Sequence, residues 1–199
     1  MQLNKMKNII LIISMSFVFI SNAQSPILPL QGSGTRPVAG AYYKDTDNVF
    51  DKFGGTWKYI NGNESFIIIL QKKTLYYNPH DDTYLDIIIG EYSYNDSNGT
   101  EKVNTLDNLN NVNLNPYENN ISGLLILDRS QPASLRRIEL IFTDPERSYI
   151  ELNIRLKYIA GSPERLELEW RGDMSLIPDD TSPTTIRVPE QNYILTKQP

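Results

Sequence analysis

The sequence predicts an all-β fold, an antiparallel up-and-down β-barrel, with a β-sandwich as the alternative architecture. Three observations carry this expectation. Nine or ten short apolar or alternating runs follow one another from Thr56 to Lys197, separated by turn signals rich in Gly, Asn, Asp or Pro. No stretch has the three- and four-residue spacing of a long amphipathic helix. The segment Tyr149 to Arg171 alternates so regularly that its hairpin can be registered by hand. Strands this apolar would expose adhesive edges, which closure into a barrel removes.

Taken in order, Ala41 to Phe53 puts Val49, Phe50 and Phe53 at helix-like spacing with Thr46 or Asp47 as cap, so one helical turn is expected. Phe53-Gly54-Gly55-Thr56-Trp57-Lys58-Tyr59-Ile60 then commits the chain to its first buried strand, with Trp57 on the inward face. Asn61-Gly62-Asn63 is a hairpin turn requiring positive φ. Ser65 to Gln71 contains three consecutive Ile residues, which predicts burial on both faces, and Thr74 to Tyr77 continues it. Asn78 to Asp82 is a turn. Thr83 to Tyr94 is a long apolar strand in which Gly90 predicts a bulge or bend. After the turn Asp96 to Gly99, Glu101 to Leu106 is a short strand and the Asn-rich Asp107 to Asn120 a loop.

Ile121 to Leu127 and Leu135 to Phe142 open the second half. In Tyr149 to Ile159, Ile150, Leu152, Ile154, Leu156 and Tyr158 share one side, and Arg165 to Arg171 repeats the alternation with Leu166, Leu168 and Trp170 inward. Matching apolar to apolar pairs Tyr158 with Leu166, Leu156 with Leu168, and Ile154 with Trp170. Lys157 then falls opposite Glu167, and Arg155 opposite Glu169. Cross-strand charge pairs contribute a few tenths of a kcal/mol to about 1 kcal/mol, so burial sets the register and the charges agree with it. Pro178 to Pro183 is a loop, and Thr184 to Val188 and Gln191 to Lys197 are the last strands.

The length of 199 residues suits a single domain. Residues 1–23 have the parts of a secretory signal peptide: Lys5 and Lys7, the apolar run Ile9 to Ile20, and small residues at Ser21-Asn22-Ala23. That run is short for the roughly 20 residues of a bilayer span, so no membrane span is expected in the mature form. The predicted destination is the periplasm or the extracellular medium. Residues 24–40, with Pro26, Pro29, Gly32, Gly34 and Pro37, read as a flexible, extended leader or a strap along the domain, leaving 41–199 as a single β-barrel domain. A net charge of −5 disfavours nucleic acid as a partner. The absence of cysteine excludes disulfides and thiolate chemistry, so the core alone must hold the fold.

Tyr43-Lys44-Asp45, the Phe53 to Tyr59 stretch, Gly90-Glu91-Tyr92-Ser93-Tyr94 and Asn104-Thr105-Leu106 make the chain resemble an uncharacterised family of secreted Bacteroidetes proteins, a domain of unknown function. The resemblance covers nearly the whole length and brings no known activity, substrate or catalytic residue. Gly55-Thr56-Trp57 is, more distantly, similar to the signature of lipocalins and calycins. That likeness implies an eight-stranded barrel, closed at one end by the Trp beneath an Arg of a late strand, with Arg171 and Arg187 as possible partners here.

No group of residues rises to a chemical assignment. His80, the single histidine, lies in a Pro-His-Asp-Asp turn with no nucleophile motif near it. His80-Asp81-Asp82 are adjacent, and adjacent residues seldom converge on one ion. Asp45-Thr46-Asp47-Asn48 lacks the glycine and the final glutamate of a calcium loop and reads as a cap. Glu151, Glu167 and Glu169 could supply the paired carboxylates of a glycosidase, but all three fall on the solvent face of the charged hairpin. Tyr76, Tyr77, Tyr84, Tyr92 and Tyr94 read either as cross-strand packing or as the lining of a barrel mouth for an apolar or sugar ligand. The expectation is a secreted, lipocalin-like, non-enzymatic barrel with no catalytic residues, metal or cofactor. It would bind a small apolar ligand or a protein partner such as an envelope protein. A carboxylate-dependent hydrolase and a cell-envelope structural protein are the alternatives.

Overall fold

A computed structural model describes residues 25–30, 36–111, 113–173 and 175–199. The expected signal segment, 1–23, lies outside the described residues. The strands are β1 (Ile27–Pro29), β2 (Tyr42–Lys44), β3 (Gly55–Asn61), β4 (Glu64–Asn78), β5 (Thr83–Asn95), β6 (Glu101–Asn104), β7 (Ile121–Ile126), β8 (Ile138–Asp144), β9 (Arg147–Ile159), β10 (Arg165–Asp173) and β11 (Tyr193–Lys197). Helical structure among the described residues is limited to short 3₁₀ turns.

The protein is an all-β closed barrel. Its wall runs β3-β4-β5-β7-β8-β9-β10-β11, every neighbouring pair antiparallel, and β11 returns to β3. The pairing of β5 with β7 closes the wall and rules out the sandwich. The hairpin register derived from burial holds at all five pairs. One side chain departs from it: Arg155, opposite Glu169 along the backbone, turns to Glu139 on the other flank at 2.9 Å. A long guanidinium can choose between carboxylates on either neighbouring strand, so register alone does not assign its partner.

β5 organises the wall. Its first edge pairs with β4, and its second edge is shared in turn by β2 at Tyr84 and Leu85, β7 at Ile88 to Gly90, and β6 at Ser93 to Asn95. Ile88, Tyr92 and Tyr94 point into the barrel, whereas Leu85, Ile87 and Ile89 form a second buried cluster outside it, beneath Tyr43, Tyr76, Leu109 and Leu124. Burial on both faces explains why this strand shows no alternation. Gly90 is no bulge, since the ladder runs through it unbroken. A Cβ there would meet Leu70 Cδ2 at 2.6 Å and the Ile69 carbonyl oxygen at 2.7 Å. The bulge lies across the ladder in β4, which runs through the two expected segments between Lys73 and Tyr76 and sets Leu75 at φ 55°.

The barrel interior is filled. Trp57, Phe66, Tyr92, Phe142 and Tyr193 are fully buried at its axis, with Phe66 and Tyr193 rings 4.9 Å apart and Tyr92 and Phe142 4.4 Å apart. The 3₁₀ turn Val49–Phe53 stops one end with Val49, Phe50 and Phe53. Its N-cap position is Asn48, rather than Thr46 or Asp47, and the capping bonds come from the buried Asp45 carboxylate, which accepts the Val49 and Phe50 amides at 2.9 and 2.8 Å. At the other end, Ile186 and Val188 are buried, yet Thr184–Val188 is not the expected strand. This segment bends repeatedly and joins no ladder. Its Arg187 amide and guanidinium bond instead to the wholly buried Asp144 carboxylate, at 2.9 Å from the amide and 2.6 Å from Nη2. Alternating burial there reflects a segment drawn over a barrel mouth. Within the leader, Ile27–Pro29 pairs in parallel with Tyr42–Lys44.

Two substitutions test this account. Gly90→Ala inserts a methyl group where there is no space and should destabilise the protein by about 1 to 3 kcal/mol, read as a lowered urea midpoint. Arg187→Met leaves Asp144 buried without its cation and should cost about 3 kcal/mol or more. An unchanged midpoint in Arg187→Met would show that Asp144 is solvated and the clasp unimportant.

Candidate functional site

Beyond the short β5–β7 contact the two strands diverge, because β5 continues as a projecting hairpin with β4 while β7 turns away at its own bulge between Ser122 and Leu125. β1 and β2 extend the projecting sheet. Tyr43 and Leu85, adjacent across β2 and β5, both look into the gap. An external groove of about 450 Å³ results, with Leu30 and Pro37 of the leader, Leu124 and Leu125 of β7, and Tyr117 of the Asn-rich loop as further walls. Asn78, Asp81, Glu139 and Asn153 bring polar groups to it. The Glu139 carboxylate is already bonded to Arg155, and Asp81 accepts from the Asn78 amide at 3.0 Å. A second, more polar cleft of about 600 Å³ lies under the same loop, between Lys73 and Tyr76 on one side and Asn108, Asn111 and Asn119 on the other.

The five tyrosines separate by face. Tyr92 and Tyr94 are interior packing. Tyr77 and Tyr84 are exposed partners on the projecting hairpin, 5.3 Å apart, and Tyr76 meets Tyr117 at 5.9 Å. None of them lines an open barrel mouth. His80 is exposed in its turn, and among the described residues no cluster of three His, Asp or Glu side chains could hold a metal ion. Glu167 lies 3.1 Å from Lys157 and Glu169 is paired with Arg171, both on the outer face of β10, while Glu151 occupies the outer face of β9. These acids do not converge on a cleft.

Trp57 closes a barrel end by a different device from the one the lipocalin likeness implies. Arg187 is committed to Asp144 and Arg171 to Glu169. The cation over the indole is Lys197, directly opposite on β11 and 5.2 Å from the ring centroid. Its stem crosses Gly55, where φ is 118° and a Cβ would stand 3.3 Å from Lys197 Cε. Lys197 is anchored by Glu164 at 2.7 Å, and Glu164 also accepts the Tyr158 hydroxyl at 2.8 Å.

Three buried acids, Asp86, Asp144 and Glu91, escaped the sequence reading because they sit in or beside apolar runs. Asp86, wholly buried on β5, accepts the Tyr42 hydroxyl at 2.5 Å and the Asp45 amide at 3.0 Å. Burial and that bond push the Tyr42 phenol up to about 12. Asp45 in turn takes Lys72, which also reaches Asp51. Burial alone would lower the Lys72 ammonium; the two carboxylates outweigh it and hold the group above its ordinary value. This network joins β2, β4, β5 and the 3₁₀ turn, and its acids are consumed by structural bonds. Glu91 is the third. It is fully buried on the outer side of β5 with Oε2 unpartnered, and burial raises its carboxyl to about 7 against the weaker pull of Thr105 and Asn120.

Asp86→Leu should therefore act on stability. It strands the Tyr42 hydroxyl and the Asp45 amide, at a cost of about 2 kcal/mol or more. A urea midpoint equal to that of the wild type would show that these groups find water instead.

No curated protein and no solved structure matches the chain. A family match spans residues 6–198, which takes in every strand of the barrel and each wall of the groove. The chain belongs to DUF6705, a family of unknown function.

Proposed function

We propose that this is an exported, non-enzymatic barrel protein that holds a small, largely apolar ligand in the external groove between β5 and β7. The observation that carries the reading is the groove itself: an open recess of about 450 Å³ walled by Leu, Pro and Tyr side chains, with a few polar groups among them. Small-molecule sites usually have this form and size. The ligand lies outside the barrel in this reading because the interior is occupied by aromatic side chains. Export rests on the charge and hydropathy pattern of residues 4–23, with the periplasm or the medium as the destination. The non-enzymatic reading rests on the exposed position of His80 and on the structural bonds that absorb Asp45, Asp86 and Asp144.

Native mass spectrometry of protein purified from its own host should reveal a bound small molecule. Nile red, a neutral apolar dye, should bind to protein stripped of it. Leu125→Trp fills the groove from a residue that belongs to neither buried cluster. It should weaken dye binding at least about tenfold, equivalent to about 1.4 kcal/mol, while leaving the urea midpoint unchanged. Equal dye affinity in both proteins would remove the groove as the site.

A further inference from the structure

Glu91 has an unusual position for a buried acid. Its backbone lies on β5 opposite Ile69, and its side chain is wholly buried beneath the loop of residues 105–111 and 113–120. The two ends of that loop meet at this one carboxyl. Thr105, the first residue, adjoins it, and Asn120, the last, donates its amide to Oε1 at 3.3 Å. Thr105 is itself held to β5, accepting the Tyr92 amide at 3.2 Å and donating to the Tyr92 carbonyl oxygen at 3.1 Å. Loops whose ends are pinned together in this way move as units.

Among the described residues no cation faces the carboxyl. β4 presents Ile69, and its Lys73 is exposed further along the ladder, opposite Ile87. β6 directs Lys102 to Asp96, the loop acids Asp107 and Glu118 are exposed, and Asn120 turns its amide side chain to Thr143 of β8. On the inner face the Tyr92 phenol senses Glu91 and, beyond it, the Asp144–Arg187 pair. Among the described residues Oε2 has no hydrogen-bond partner. A buried neutral carboxyl tolerates this arrangement, whereas an unpaired buried carboxylate does not.

We propose that Glu91 is a proton-operated clasp: protonated, it holds the loop closed on β5, and ionised, it lets the loop open and withdraws Tyr117 from the groove. The sign follows from the shift. The carboxyl is raised from its ordinary 4.5 to about 7, so the closed state binds more protons than the open one between those limits. The proton's contribution to closure is fully present below about pH 4.5, is lost as pH rises toward 7, and changes no further above. The effect on the loop needs no ligand. Its effect on binding rests on the groove being the ligand site.

Hydrogen exchange on the ligand-free protein tests the clasp. Between pH 4.5 and pH 8, after correction for intrinsic rates, exchange of the Thr105 and Asn120 amides, which tie the two loop ends to Tyr92 and Glu91 of β5, should accelerate roughly tens- to hundreds-fold. Barrel amides should not follow. Glu91→Gln, neutral and of the same shape, should abolish the dependence, and Glu91→Leu, equally unable to ionise, should do the same. Loop protection that ignores pH in the wild type, or the same pH dependence in Glu91→Gln, overturns the proposal. Nile red titrations at pH 5 and pH 8 separate the two readings. A clasp that switches in the exchange experiment without any dye binding defeats the groove and keeps the clasp; dye affinity that falls with pH in the wild type alone supports both.

Discussion

A strand surrounded on all sides is the constraint from which the rest of this structure follows. β5 gives one edge to β4, divides the other among three partners, and buries side chains on both faces. Each large apolar side chain so buried contributes about 1.5 to 3 kcal/mol, so the position of this strand is strongly fixed. What surrounds it must adapt. β7 touches it briefly and departs, β2 takes over where β7 leaves, and the loop after β6 covers what remains of its outer side. Barrel closure, the second buried cluster and the external groove are three results of sharing one strand edge.

The buried acids beside this strand meet burial in different ways. Asp144 has a guanidinium fitted to both oxygens. Among the described residues no cation pairs with Asp86, which relies on a phenol and an amide that a carboxylate can accept simultaneously. Glu91 has one amide bond, a hydroxyl beside it and an empty lone pair. The first two are rigid joints. The third is poised, since the environment favours its neutral form and ordinary neutral water favours its charged one.

Most of the fold was legible where a single periodicity dominated. The β9–β10 hairpin alternates from Ile150 to Tyr158 and from Arg165 to Arg171, so its register followed from Leu156, Leu168 and their neighbours. Errors arose where two physical demands produce the same letters. Ile186 and Val188 alternate because a segment crosses the barrel mouth, and the ladder partner that alternation suggests is replaced by the Asp144 carboxylate. Gly90 marks a strand crowded by its neighbours, which reads in sequence like a strand that bends. The groove was not legible at all. Its walls come from the leader, β2, β5, β7 and the loop, and no local pattern links Leu30, Tyr43, Leu85 and Tyr117. Glu91 left a faint trace, a lone acid inside the apolar run Ile87 to Tyr94, which only burial on both faces turns into an anomaly.

The pairing of Trp57 with Lys197 has a consequence in time. These residues lie far apart in the chain, and the seam between β3 and β11 that they hold joins the first strand of the wall to its last. A barrel of this kind has no local nucleus that can seal it, and loop closure over such separations makes folding slow. Until residues 193–197 emerge, β3 and β10 both present bare, apolar-flanked edges. The nascent chain is therefore an open sheet rather than a closed cylinder, and its exposure to pairing with other chains ends only when the final strand arrives.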